Sequence, residues 1–465
     1  MILRRLLVPA LAVATALVVA APSGSVGRGA PAVSGASGIG DPYFPEDGNG
    51  GYDVLRYDVH DSYRFSDGRL RGSTTITLRT TQRLRSFDLD FLLPVSAVAL
   101  STGRATFDRP DRHELRITPA RPIPAGTRLR ATVTYAGHPA RLSWDGESNW
   151  VADAHEVAVV NEPHMAPWWF PSNDHPLDKA LMDLHITVPT GYQVVAGGRM
   201  ESVRRAGHHT TYHWHGGPMA TYLAFFVAGH LAIRSGVSHG LPYYDAVSKQ
   251  LPPADRQAAL DGLGRTPAIV RWLASKLGRY PWAETGGVVT GLDPGFALET
   301  QTRPTYPQGV YGSLMVHELA HQWFGDSVSV HYWRDVWLNE GFATFMEQWW
   351  AAEHGGPSTR TWLHQTYASW TGWGLPIADP GPAHLWDWAV YERGAMTLAA
   401  LRDRIGGADF KQVLRSWVRQ HAGRHGSTMQ FEALAERVSG QDLGSFFHTW
   451  LVQTVRPADT AANGL

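Results

Sequence analysis

The segment His317-Glu318-Leu319-Ala320-His321, followed at a distance by Glu340, constrains this chain more than any other stretch. Two histidines four apart on a helix stand one turn apart on the same face. Both imidazoles can then reach a single metal ion. Glu318 projects beside them, where a carboxylate can take a proton from water. The flanks predict a helix: residues 311–324 contain no proline, and Leu314, His317, Leu319, Ala320 and Phe324 repeat at a helical period. A catalytic zinc ion keeps three protein ligands and one open position. Glu340, in Trp337-Leu-Asn-Glu-Gly-Phe-Ala343, is the third ligand. The 18 residues between His321 and Glu340 suffice to turn the chain and start a second helix facing the first. Glu347, seven residues further on, falls on the same helix face and is placed to orient a ligating histidine. Asp335 needs no role beyond a helix cap or a surface charge. Isolated histidines carry little weight in a chain with 22 of them. An H-E-x-x-H match by chance, however, is expected only about 0.05 times in such a chain.

Several separated segments resemble the aminopeptidase N family of zinc peptidases, whose relatives include the leukotriene hydrolases. The resemblance runs from about Gly40 to Val455. It rests on His317 to Gly325 (HELAHQWFG), Trp337 to Ala343 (WLNEGFA) and Val390-Tyr391-Glu392-Arg393-Gly394-Ala395. It also rests on Ala297-Leu298-Glu299, in the place of the family's G-[AG]-M-E-N, and on Phe170-Pro171-Ser172-Asn173-Asp174-His175-Pro176. The resemblance implies one zinc ion held by His317, His321 and Glu340, with Glu318 as general base. It further implies that Tyr391 donates its hydroxyl to the developing oxyanion. Glu299 would hold the substrate's free α-ammonium, beside Ala297 and Leu298 in the substrate groove. Glu162, nine residues before Pro171, stands where the family places a second ammonium-binding Glu or Gln.

The chain departs from the family pattern in two ways. Phe296 replaces a glycine that lets a substrate backbone approach closely, and Thr300 replaces the asparagine after Glu299. The chain also stops 74 residues after Tyr391, too few for the family's large C-terminal helical domain, which is expected to be absent. The expected activity is hydrolysis of the N-terminal peptide bond of peptides with a free N-terminus. The alternatives within the class are a zinc endopeptidase and an epoxide hydrolase of the leukotriene hydrolase kind. Outside it stands a non-catalytic binding member, which retention of His317, Glu318, His321, Glu340 and Tyr391 opposes.

A formal net charge of −1 leaves no basic field for nucleic acid or an acidic membrane. Arg4-Arg5 followed by an apolar run to Ala21 predicts a signal peptide over residues 1–21, and hence a secreted protein with no membrane association after cleavage. The absence of cysteine excludes disulfides and a lipid-modified cysteine, so stability outside the cell must come from the core. Residues 22–40 are Gly/Ser/Ala/Pro-rich and read as a disordered linker.

The expected fold is α+β. An antiparallel β sandwich or saddle over 41–236 is followed by a thermolysin-like, mainly helical catalytic domain over 237–455 and a short polar tail over 456–465. Segments 73–79, 129–135 and 184–188 alternate at period two. A helix is expected over 253–277, a buried strand over 286–290 and an edge strand over 295–301. The zinc helices follow, and then helices over 395–404, 410–421, 428–438 and 443–453. The aromatic run Trp323, Phe324, Trp333, Trp337, Trp349 and Trp350 reads as core.

Overall fold

Alternation along the chain builds the first half. In a computed structural model describing residues 31–310 and 312–465, the strand Arg69–Thr80 buries Leu70, Thr74, Ile76 and Leu78 and leaves Arg71 and Arg79 exposed. Arg128–Gly137 likewise buries Leu129, Ala131, Val133 and Tyr135. One apolar face per strand requires a second layer to cover it. The seven-stranded sheet runs, edge to edge, Arg199–Ala206, His209–Met219, Ala180–Pro189, Tyr52–Arg64, Arg69–Thr80, Arg128–Gly137 and Val95–Leu100. A second sheet joins Gln193–Ala196, Phe226–Gly229, Val157–Val159 and Val151–Ala152. The large sheet is antiparallel except where Tyr52–Arg64 lies parallel to Ala180–Pro189. The expected all-antiparallel pattern fails there because more than a hundred residues of chain intervene, so no hairpin sets the direction.

Three boundaries move. The change of sheet falls at His230 and not at 236/237: Leu231–Ser238 already pairs with Leu241–Ser248 in the next sheet. Residues 31–40 are ordered, since Val33–Ser34 pairs with the strand Leu84–Ser86 and Gly50 N–H bonds Ala36 O at 2.8 Å. Backbone pairing of this kind is open to any composition, which is why low hydrophobicity misplaced the end of the linker. Residues 1–21 and 22–30 of the expected signal and linker lie outside the described residues. The tail over 456–465 docks on the body, with Trp450 Nε1 donating to Asn463 O at 3.1 Å and Tyr367 Oη to Pro457 O at 2.6 Å.

The second half carries a four-stranded sheet, Leu231–Ser238, Leu241–Ser248, Thr285–Thr290 and Thr305–Pro307, with helices packed against it. The 253–277 helix is broken into Pro253–Leu263 and Thr266–Leu277 at Gly264. The expected edge strand over 295–301 is replaced by one bridge, Leu298 to Thr305, because the chain turns sharply through Thr302 at φ +73°. The edge position belongs to Thr305–Pro307. At the end of the chain, Gly444–Phe447 passes into a π-helical turn, His448–Val452. Among the described residues no helix is long and apolar enough to cross a membrane.

Helix Trp337–Glu353 is buried on every side from Trp337 to Met346, so it forms the centre of this half. It crosses helix Trp388–Ile405 at a point of very close approach: a Cβ on Gly341 would sit 2.8 Å from Gly394 Cα. Only glycine at both positions permits that crossing. It brings Glu340, next to Gly341, and Tyr391, one turn before Gly394, to the same cavity. Arg393 fixes the same helix from its other side. It is fully buried and donates to Trp450 O at 2.7 Å, Leu375 O at 2.8 Å, Trp373 O at 3.0 Å, Thr449 O at 3.2 Å and Gln453 O at 2.6 Å. Arg393→Met strands these carbonyls. It is expected to lower stability by about 3–5 kcal/mol, measured by denaturant titration; a loss below about 1 kcal/mol would show that water replaces the guanidinium.

Candidate active site

Helix Gly312–Ala320 ends one residue before His321, and His321 N–H still bonds His317 O at 3.2 Å, so the turn that aligns the two imidazoles is intact. Their Nε2 atoms lie 3.2 Å (His317) and 3.4 Å (His321) from the same Glu340 oxygen. All three residues are buried. Each ring is held from behind: His317 Nδ1 lies 2.8 Å from Glu347 Oε1, and His321 Nδ1 lies 3.0 Å from Phe324 O. Both outer nitrogens are thus engaged as donors and both Nε2 lone pairs face one point. Two imidazoles and a carboxylate converging in a buried site form the donor set that suits zinc.

Glu318 and Glu299 each bring a carboxylate oxygen within 4.8 Å of a His321 ring nitrogen. Glu299 is buried and accepts from Tyr222 Oη at 3.1 Å. Its segment is tied to the histidine helix by Gln322, which donates to Glu299 O at 2.9 Å and accepts from Thr302 N–H at 2.8 Å. Thr300, the departure from the family pattern, turns inward and bonds Arg303 O at 2.6 Å, so it holds the turn. Phe296, the other departure, is 38% exposed at the rim. Leu298 is buried, and Ala297 lies between the main cavity and a smaller one beside it. Glu162 reaches the same space from the β half, and its Oε1 makes no hydrogen bond. The Tyr391 ring stands 6.0 Å from that of His317. These groups line one cavity of about 690 Å³.

The charges are unbalanced. Burial pushes Glu318 up to about 8, with Glu299 and Glu340 adding to the shift and His317 and His321 opposing it. Burial also raises Glu162 far above the usual carboxylate range, and Glu299 adds to that. Three buried carboxylates and half-buried Glu162 around two imidazoles call for cations, and zinc with a substrate ammonium would supply them.

The geometry brings the predicted site residues to one cavity, except Leu298, which lines only the smaller cavity beside it. Tyr222, Gln322 and the Phe324 carbonyl were not anticipated. Gln322 adjoins His321, so its place after the motif was the available signal. Trp386 and Trp388, 39% and 72% exposed, stand at the mouth, five and three residues before Tyr391 at the start of helix Trp388–Ile405. The expected aromatic core is buried at Trp323, Phe324, Trp333, Trp337 and Trp349, each 7% exposed or less, whereas Trp350 is only half-buried at its edge. Asp335 is neither a cap nor a surface charge: it is buried and accepts from Thr428 N–H at 3.0 Å and Thr428 Oγ1 at 2.6 Å.

The M1 zinc metallopeptidase from Deinococcus radiodurans superposes with a TM-score of 0.83 at 30% identity, covering 90% of this chain and 99% of the other. The chain belongs to peptidase family M1. The model of the peptidase family M1 domain matches residues 283–373 and 377–450. A variant of the Deinococcus enzyme bound to the tripeptide Tyr-Ser-Ala superposes with a TM-score of 0.82 at 29% identity, covering 91% of this chain and 100% of that one. Aminopeptidase N of Lactococcus lactis subsp. cremoris is 27% identical over 350 residues, 66% of this M1 chain and 39% of the relative. Aminopeptidase M1-C of Oryza sativa subsp. japonica is 26% identical over 325 residues, 62% and 36%. The chain therefore spans well under half the length of these curated relatives.

Proposed function

We propose that this chain is a secreted zinc aminopeptidase that hydrolyses the N-terminal peptide bond of peptides. The observation that carries the reading is the pair of carboxylates, half-buried Glu162 and buried Glu299, in the same cavity as His317, His321 and Glu340. A free N-terminus is a cation, and such a pair favours it over a neutral, acylated end. When bound by His317, His321 and Glu340, zinc supplies Lewis acidity, polarising a carbonyl and making water acidic near neutral pH.

The protein's own groups do the rest. Glu162 and Glu299 bind the α-ammonium and set the first peptide bond against the metal ligands. Glu318 accepts the proton of the attacking water and later passes it to the leaving amine. Tyr391 donates its hydroxyl to the oxygen that gains charge, a contact strongest in the transition state. Glu347 keeps the His317 ring oriented. Glu347→Gln is expected to weaken zinc binding by about 10–100-fold, read by competition with a chelator; unchanged affinity would remove Glu347 from the positioning role.

The reading is tested with aminoacyl fluorogenic amides, each paired with its N-acetylated form, with and without a zinc chelator. Chelator-sensitive cleavage of the free amines alone is expected. Equal cleavage of blocked substrates would make the chain an endopeptidase, and no cleavage by the zinc-loaded protein would favour a binding role. Export with residues 1–21 as signal belongs to the same proposal. Its check is the N-terminal sequence of protein recovered from culture medium.

A further inference from the structure

A second group of convergent donors lies in the β half and shares no residue with the catalytic cavity. Asp90 and Glu114 face each other across a single antiparallel bridge, which sets two like charges side by side. Both are buried, at 0% and 2% exposure, and His113 is buried beside them at 2%. His113 Nδ1 lies 3.6 Å from Asp90 Oδ1 and 3.9 Å from Glu114 Oε1. One ligand atom from each of the three falls within 4.8 Å of the others.

Ordinary hydrogen bonding does not account for this group. Neither Glu114 oxygen and neither His113 nitrogen has a well-formed hydrogen bond, and the same holds for Asn49 Oδ1. Asn49 Nδ2 donates to Asp90 Oδ1 at 3.1 Å, so that residue borders the cluster. Among the described residues no lysine or arginine pairs with Asp90 or Glu114. Arg116 is engaged by Asp88 at 3.1 Å, and Arg109 by the carbonyls of Leu93 and Arg112 at 2.7 Å. The Trp144 ring stacks on His113 at 3.8 Å and fixes its plane.

We propose that Asp90, His113 and Glu114, with Asn49 Oδ1 beside them, bind a second, structural divalent transition-metal ion, zinc in the first instance. One cation would satisfy the unpartnered atoms of three residues and neutralise the two facing carboxylates. The imidazole argues against calcium or magnesium, which take oxygen donors. Tetrahedral zinc with bonds of about 2.0–2.1 Å sets its ligand atoms about 3.3 Å apart, so the 3.6 and 3.9 Å separations to His113 are close to what it needs. Such an ion would pin the segment carrying Asn49 to the core of the β half.

The test is metal content and position in the full chain produced with zinc. Elemental analysis is expected to give two zinc ions per chain, falling to one in His317→Ala/His321→Ala and to one in Glu114→Gln. Glu114→Gln is expected to keep the peptidase rate per bound catalytic zinc and to lower Tm. Where that variant does not fold, anomalous diffraction from the unmodified protein decides. A transition-metal peak bonded to His113 supports the site. One zinc per chain, with no peak at Asp90, His113 and Glu114, overturns it and leaves two acids that bury themselves by protonation.

Discussion

Glu318→Gln is expected to lower kcat by about 10³-fold, within the 10²–10⁴ that a positioned general base contributes, and to leave zinc bound. The argument rests on what the substitution preserves. Glu318 is 4% exposed and is not one of the three converging ligands, so an isosteric amide keeps the packing and leaves His317, His321 and Glu340 in place. What it removes is the capacity to accept a proton beside the open side of the metal site. Burial raises the Glu318 carboxyl above the usual carboxylate range, toward that of a group that both accepts and returns a proton. Stopped assays with a free aminoacyl amide, alongside zinc content, check it. A variant that binds zinc and turns over within about tenfold of the parent would assign the base elsewhere.

The site was legible where chemistry repeats at a fixed spacing. His317 and His321 share a face because helices have 3.6 residues per turn, and Glu347 reaches His317 because it follows Glu340 by two turns. Contacts between distant segments left no such mark. Gln322 holds the Glu299 turn, and Tyr222 holds the Glu299 side chain, across gaps that no periodicity spans. The two glycines behind Glu340 and Tyr391 were visible as letters in their motifs. Their reason, a helix crossing too close for a Cβ, is a property of the packed pair. In the fold, strands with one wet face were plain. The turn at Thr302 was not, because an L-residue at positive φ is held there by its surroundings, through Thr302 N–H to Gln322 and Thr302 Oγ1 from Gly198 N–H at 3.0 Å.

The double change Glu162→Gln/Glu299→Gln is expected to cost about 10²–10³-fold in kcat/KM on free aminoacyl amides. It is expected to leave N-acetylated amides as poor as before or somewhat better. The two carboxylates come from different halves of the molecule, Glu162 from a loop of the β half and Glu299 from the turn beside the catalytic sheet, and they meet in one cavity. Burial raises the proton affinity of Glu162 most, and the Glu299 charge follows it. Two amides remove that repulsion, so the variant should fold at least as well, and a fall in rate cannot be charged to lost stability. An ammonium placed between amides loses its ion pairs in a site that excludes water, whereas an acetylated end never had them. The diagnostic quantity is therefore the ratio of kcat/KM for free to blocked substrate, which is expected to collapse. A double variant that slows both substrates equally would mean that these carboxylates shape the cavity without reading the N-terminus, and the aminopeptidase reading would fall while the zinc site stood.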